Sequence, residues 1–415
     1  MKGIMDHRSN ERRLLSAVFL FWFSVYTYPS FLTTYAVNGL GATSAMAGMI
    51  VGSYGLTQMA ARIPLGILSD VLKKRKPFVM LGFGLSILAS AGLSFTALQA
   101  GRENIPQGLV VAALLCRGIS GITAATWVQF TVLYTASCRG DQVSAAMSRI
   151  IVPQCGSQIL AMWIGAQLAG RVGEIYAFAL ATVAGAFGLI LMARVEEQRP
   201  TGEPMTLRGF LEVSKNRRLI SGTLLATLYQ TVAWSTALGF VQNWAREVIG
   251  MSTAQLGYLS VANLLPNMIL SRVSGTVLSR KFGRRAVLTV GFGFLAAACC
   301  LYPRTRSMAA LLAVQALLGS GVGLIMPLTM SSAIEEIPNE KRGAAMGIYQ
   351  AVYGLGMFIG PVIAGMVIER VSDAGPEQNI VVSGYTAVFT LAMAVSLVGM
   401  VLAFILGKER GKTNP

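Results

Sequence analysis

The chain has 415 residues, 54% of them hydrophobic and 13% charged, with 34 Lys and Arg against 18 Asp and Glu and a formal net charge of +16. That balance excludes a water-soluble globular enzyme and suits a chain solvated mainly by lipid. A single histidine, His7, excludes a histidine-based metal site. The five cysteines (Cys116, Cys138, Cys155, Cys299 and Cys300) lack metal-ligand spacing and read as small packing residues, so no metal and no cofactor is expected.

The N-terminus is basic and its first apolar run starts at Leu14. The run continues past Ala36, too long for a cleaved signal core, and reads as a retained first span. From there to Leu406 the chain holds about twelve apolar segments of roughly 20 residues, the length a helix needs to cross ~30 Å of hydrocarbon. In chain order they fall at 14–38, 44–69, 77–98, 107–135, 146–170 and 174–194, then 219–243, 254–279, 286–303, 308–334, 343–368 and 381–406. The connectors after even-numbered segments carry the basic residues: Lys73 to Lys76, Arg139, Arg208 to Arg218, Arg280 to Arg285, and Lys341-Arg342. The other connectors are nearly neutral. Positive residues stay on the cytoplasmic side, so both termini are expected there. The excess positive charge then sets orientation and meets lipid head groups, and no nucleic-acid partner is expected.

One long polar connector divides the chain. The expected organisation is an N-terminal six-helix bundle over 1–194, a linker over 195–218, and a C-terminal six-helix bundle over 219–415. Within the linker, Leu207, Phe210, Leu211 and Leu219 share roughly one face, which fits either a short amphipathic helix on the inner leaflet or an irregular link. The two halves look like copies. Ala145-Ala146-Met147 and Arg171-Val172 bracket the fifth span as Ala344-Ala345-Met346 and Arg370-Val371 bracket the eleventh. Arg62, Gly66 and a cationic cluster in span two match Arg272, Gly275 and another such cluster in span eight. Parallel repeats of this size are a recurrent plan of secondary transporters, with the solute held between halves. The small pairs Gly48/Gly52 and Gly356/Gly360 allow close helix approach, and they are expected to face each other.

Gly66-Ile67-Leu68-Ser69-Asp70-Val71-Leu72-Lys73-Lys74-Arg75 resembles the loop 2–3 signature of the major facilitator superfamily, G-x-L-a-D-x-x-G-r-R/K. Thr276 to Arg285 is similar to its second copy, with Arg280 in the aspartate's place. Leu114 to Ala125, with Arg117, Gly121 and Ala124-Ala125, resembles the family's fourth-span pattern. Lys73 departs from the loop glycine. The fifth span lacks the Gly-Pro-x-x-Gly-Gly pattern of the family's drug/proton antiporters, and a related sequence, Gly356 to Gly365, lies in span eleven. The resemblance implies an all-α membrane fold of twelve helices in two pseudo-symmetric bundles, working as a monomer by alternating access. It also implies a gating latch in which Asp70 meets the start of helix eleven and a basic residue after helix four, here Arg139, with Gly66, Lys74 and Arg75 completing the motif. The alternative is that Asp70 only caps a helix end.

Arg117 lies about ten residues into the fourth span, where a lone cation costs ~2.5–3.5 kcal/mol on insertion scales, so it is expected to face protein interior or water. No span holds a mid-membrane carboxylate to neutralise it. It either anchors an anionic solute or a proton path, or braces the bundle through carbonyls and tyrosine hydroxyls. The other cavity candidates are neutral: Tyr26 and Tyr28 in span one, Trp127 in span four, Gln154/Gln158 in span five, Trp234 in span seven, Asn263/Asn267 in span eight and Tyr349/Tyr353 in span eleven. The amide and tyrosine pairs recur at i, i+4 and therefore share a helix face. Arg62 and Arg272, near the inner ends of their spans, can snorkel toward the head groups and read as structural residues.

No Gly-x-Ser-x-Gly, His-Glu-x-x-His or paired intramembrane carboxylate is present, so no enzyme is expected. Gly407 to Thr413 is one residue short of a nucleotide-binding loop and has no strand before it. The expected function is gradient-driven transport of a small organic solute, with an organic anion or amphiphile favoured and a coupling H+ or Na+ as a further partner. Proton-coupled multidrug efflux is the alternative.

Overall fold

The structure, a computed structural model, describes residues 2–100, 106–136, 143–197, 212–338, 341–372 and 378–407. Among these residues the chain forms twelve helical rods: α1 (Lys2–Tyr26), α2 (Ser44–Val71), α3 (Lys76–Ala100), α4 (Gln107–Ala125), α5 (Val143–Arg171), α6 (Glu174–Ala193), α7 (Arg217–Ser235), α8 (Thr253–Val273), α9 (Arg284–Leu301), α10 (Met308–Ile334), α11 (Arg342–Ser372) and α12 (Gln378–Leu406). Eight of the described helices are long and apolar enough to cross a membrane by length and composition alone. The rods fall on the twelve apolar segments because, without water in hydrocarbon, a helix is the one local structure that satisfies its own backbone. The expected linker helix lies mostly outside the described residues, as does the nucleotide-loop mimic after Gly407.

Four rods are interrupted. α1 is followed by a short turn and a π-helical turn over Tyr35–Gly39, and α7 by one over Thr236–Phe240. A third π turn, Ser274–Leu278, follows α8, and α4 breaks at Thr126 before resuming as Trp127–Ala136. Such turns leave carbonyls out of the i→i−4 ladder, where side chains or partners can use them.

The described residues gather into two compact units. One comprises Met1–Ala42, Met49–Leu207 and Ser252–Gly257, the other Thr43–Gly48, Arg208–Met251 and Tyr258–Pro415. In the first, α1 packs on α5 and α6, and α3 packs on α4 and α6. In the second, α7 packs on α11 and α12, and α9 packs on α10 and α12. These four contacts therefore recur six helices later, while α7 packs in addition on α10, which α1 hardly does on α4.

Close approaches fix the register of the repeat. In the first unit, Gly170 of α5 lies against Ala254 at the start of α8, and in the second Gly365 of α11 lies against Ser44 and Ala45 at the start of α2. These contacts pair α5 with α11 about one helical turn away from the register given by the Ala-Ala-Met and Arg-Val matches. The small-residue pairs also part company. Gly356 and Gly360 lie on the Thr227 and Thr231 carbonyls of α7, whereas Gly48 lies on Pro361. Gly48 and the Gly356/Gly360 pair thus serve different joints.

Helix ends at the basic connectors are capped by charge. In the first unit the Glu197 carboxylate accepts from the backbone N–H groups of Arg75 and, at 3.1 Å, Lys76, where α3 begins. The Lys76 ammonium donates to the carbonyls of Ala193, the last residue of α6, and of Val195 just beyond it, at 2.9 and 2.7 Å. In the second unit Glu335, just beyond α10, accepts from Arg218 at 2.9 Å and Arg284 at 2.6 Å, and Arg218 also meets Glu336 at 2.7 Å. Burial alone would raise the Glu335 carboxyl, but hydrogen bonding and charge from Arg284 and then Arg218 outweigh it and hold it below its ordinary value. A carboxylate depressed in the folded state adds stability above its unfolded pKa and loses it as pH falls through the folded one. Glu335→Gln should therefore lower the melting temperature at pH 7, by about 0.5–1 kcal/mol for so exposed a cluster. The gap to wild type should close as pH falls below the carboxylate range. Parallel melting curves from pH 7 to 3 with a constant gap would contradict this.

Candidate functional site

The deepest charge in the first unit is Arg117 on α4, only 2% exposed. Its guanidinium carbon lies 4.3 Å from the ring centre of Tyr54 on α2 and 5.5 Å from that of Tyr28, just past α1. Nε and Nη1 have no hydrogen-bond partner, and no ion pair among the described residues includes Arg117. The Tyr28 hydroxyl is engaged elsewhere, sharing a 2.5 Å hydrogen bond with Ser120. The rings supply cation–π attraction of about 0.5–2 kcal/mol, while the edge of the fork keeps open donors.

Close helix contact builds this pocket of charge. A methyl group at Gly121 would collide with the Tyr54 carbonyl, so only glycine admits α2 this near to α4. The Ser53 hydroxyl then donates to the Leu114 carbonyl at 3.3 Å, and that of Thr57 to the Gly118 carbonyl at 2.6 Å. Arg62 does not snorkel: it is 3% exposed and donates to the Ala124 carbonyl at 3.2 Å. Its acceptor is the Ala124 carbonyl, at the end of α4 just before the break at Thr126. Arg272 is exposed, as expected.

Of the other first-unit candidates, the Tyr26 ring lies tilted against Trp22 at 5.5 Å, and Trp22 meets Trp127 at 5.1 Å, so one aromatic row joins α1 to the segment after the α4 break. Gln154 and Gln158 are half-buried on α5. At the loop motif, Arg75 is 8% exposed and donates to both Ser69 and Asp70. Asp70 thus has a partner within its own loop. Arg139, the expected latch partner, lies outside the described residues. Lys74 is exposed, and the Gly66 carbonyl accepts from Ser69 at 2.8 Å.

In the second unit Tyr349 shares a 2.9 Å hydrogen bond with Thr329 of α10, and its ring meets that of Tyr353 at 5.3 Å. Trp234 is buried. Asn267 accepts from Ser271 at 3.1 Å, and Asn263 donates at 3.3 Å to both the carbonyl and the side-chain oxygen of Gln315. Gln315 also accepts from the Tyr302 hydroxyl at 3.2 Å. Tyr54, Ser120, Gln315 and Tyr302 were not among the residues the sequence singled out. One signal could have found Gln315, since Gln315-x-x-x-Gly319 repeats the spacing of Arg117-x-x-x-Gly121.

Two six-helix repeats with corresponding internal packing, a buried arginine and a basic loop that carries the family-like 66–75 motif define a membrane transport protein. The sequence profile of the Major Facilitator Superfamily matches residues 14–265 and 222–415, and the chain belongs to that family. An uncharacterized MFS-type transporter of Methanocaldococcus jannaschii is 23% identical over 92% of this chain and 97% of its own length. A quinolone resistance protein of Staphylococcus aureus is 26% identical over 59% of this chain and 51% of its own length. Among solved structures, a nucleoside transporter shares the fold with a TM-score of 0.76 at 15% identity, over 96% of this chain and all of that one.

The loop departure noted in the sequence has a structural cost. Lys73 has φ +50°, whereas the corresponding turn after α8 places Gly283 at φ +80°. A side chain in this left-handed region costs roughly 1 kcal/mol. Lys73→Gly should raise the melting temperature of purified protein by the equivalent of about 0.5–1 kcal/mol, since glycine's larger unfolded-state entropy offsets part of the relief. A lower melting temperature would contradict the strain.

Proposed function

We propose that this chain is a secondary transporter that moves a small organic solute by alternating access, with an organic anion or anionic amphiphile as its solute and Arg117 as the anchor. The observation that carries this reading is the uncompensated guanidinium. Burying a cation without a counter-charge is costly, and two open donors remain in a site otherwise lined by aromatic rings. A carboxylate accepting from that fork would supply both missing charge and missing acceptors, and charge-assisted bonds of this kind are strong. The row Tyr26–Trp22–Trp127 offers apolar faces for the rest of such a solute. Gradient coupling, a plasma-membrane location with both termini cytoplasmic, a monomeric state and the gating role of Asp70 belong to the same reading. They are supported by the charge pattern of the connectors and by the family.

Proton-coupled multidrug efflux is the second reading, favoured by the similarity to a quinolone resistance protein. Counterflow of labelled 4-phenylbutyrate in proteoliposomes, against extrusion of the cationic dye ethidium, separates the two. Wild type should carry the carboxylate. Arg117→Gln should weaken its binding by about 2 kcal/mol, and Arg117→Lys should recover only part because an ammonium lacks the two-donor fork. Melting temperatures should stay close to wild type. Intact carboxylate affinity in Arg117→Gln, or pH-dependent ethidium extrusion without carboxylate flux, would overturn the anion reading.

A further inference from the structure

Trp22 on α1 is 5% exposed, and its buried indole N–H has no hydrogen-bond partner. A buried indole ordinarily finds an acceptor for that group. Trp244, wholly buried in the second unit, does so: its Nε1 donates to the Thr305 hydroxyl at 2.9 Å. An indole nitrogen only donates, so the open group on Trp22 is a donor whichever way the ring turns.

Three aromatic neighbours hold that ring. Phe21 meets the indole edge-on at 5.6 Å, Tyr26 lies tilted against it at 5.5 Å, and Trp127, from the segment after the α4 break, meets it at 5.1 Å. None of these contacts supplies an oxygen. A contact of the N–H with a ring face would recover only a weak, second-order bond. The indole is therefore positioned by apolar packing and left short of an acceptor.

Its place relative to the anchor follows from the chain. Trp22, Tyr28 and Arg117 all belong to the first unit, and Tyr28 lies 5.5 Å from the Arg117 guanidinium. From Trp22 to the end of α1 at Tyr26 the helix rises roughly 6 Å, and the two further residues to Tyr28 bring the separation to the order of 10 Å. The aromatic row that offers its faces to the body of a solute thus carries a donor well removed from the charge.

We propose that Trp22 Nε1 is a specificity-determining donor to an uncharged oxygen, ether or carbonyl, that the transported anion carries on the order of 10 Å from its carboxylate. This rests on the reading that Arg117 anchors a carboxylate, and it narrows the solute to an elongated organic acid with a second, neutral acceptor at its far end. A site built to hydrogen-bond an oxygen rejects the analogue that lacks it, because the donor is then left buried and bare.

The test uses two matched pairs of carboxylates that differ by one oxygen at that distance. 4-(4-Methoxyphenyl)butyrate is paired with 4-(4-ethylphenyl)butyrate, and 4-(4-acetylphenyl)butyrate with 4-(4-isopropylphenyl)butyrate. Binding is measured on purified protein and counterflow in proteoliposomes, and the readout is the affinity ratio within each pair. Wild type should favour the oxygen-bearing member of at least one pair by about tenfold, the worth of one hydrogen bond of about 1.4 kcal/mol. Trp22→Phe, which keeps a ring and loses the N–H, should bring that ratio close to one, whatever it does to the two affinities together. Replacement of Trp22 by 3-benzothienylalanine, which keeps the bicyclic shape and puts sulfur where the N–H stood, should do the same. Arg117→Gln should weaken both members of a pair alike and leave the ratio in place. Absence of any preference in wild type, or a preference that survives either replacement of Trp22, overturns the role of Trp22. If Trp22→Phe is too unstable to assay, the benzothienyl protein decides alone. The anion reading is judged separately: equal loss of both members in Arg117→Gln sustains it, and no loss of either overturns it.

Discussion

A hydrocarbon interior penalises every unpaired polar group, and most of the molecule is arranged around that constraint. Backbone groups meet it by forming twelve helical rods. Hydroxyls meet it by turning back on carbonyls, within a helix or across a glycine-lined joint, as Thr57 does on Gly118. The charges at helix ends meet it reciprocally: Glu197 covers the start of α3, Lys76 the end of α6, and Arg218 and Arg284 hold Glu335. Against that background the groups left open are informative. Arg117 is buried against the rings of Tyr54 and Tyr28 and keeps two donors with no acceptor, while Gln58, Gln129, Gln242 and Gln315 each keep one open side-chain atom.

The repeat explains why Arg117 and Gln315 occupy like positions, each one turn before a glycine joint of its own unit. Duplicated helices inherit the same joints, so a glycine in α4 and another in α10 each seat a carbonyl of the preceding even-numbered rod. What the halves do not share is the chemistry one turn away from that joint. One carries a permanent cation on aromatic faces, the other a neutral amide locked by two donors. The glycine joints correspond, while the side chains one turn away differ between the repeats. The same divergence appears at the basic connectors, where Lys73 occupies the left-handed position that Gly283 keeps in the second copy.

Much of the fold was legible in the sequence because bilayer thickness imposes a length on each apolar run and connector charge alternates with it. Arg117 was legible for a related reason: a charge ten residues into an apolar run stands out. Arg62 read as structural, but its distance from the span end says nothing of the Ala124 carbonyl on α4 that accepts from it. Glycine spacing identified tight joints but not their partners, so Gly356/Gly360 turned out to meet α7. Gln315 was hidden because one amide in an apolar helix resembles many others, and its meaning depends on Tyr302 and Asn263 from two other helices. Contacts made by residues distant in the chain leave no local periodicity to read.

The central claim is that the Arg117 fork is kept open for an anion. A crystallographic or cryo-microscopic structure with 4-(4-iodophenyl)butyrate tests it most directly, because the iodine marks the ligand's orientation. The carboxylate should lie within hydrogen-bond distance of Arg117 Nε and Nη1, with the guanidinium still stacked between Tyr54 and Tyr28. A ligand whose carboxylate lies elsewhere, or an Arg117 whose two nitrogens are satisfied by backbone carbonyls of its own unit, would contradict the account.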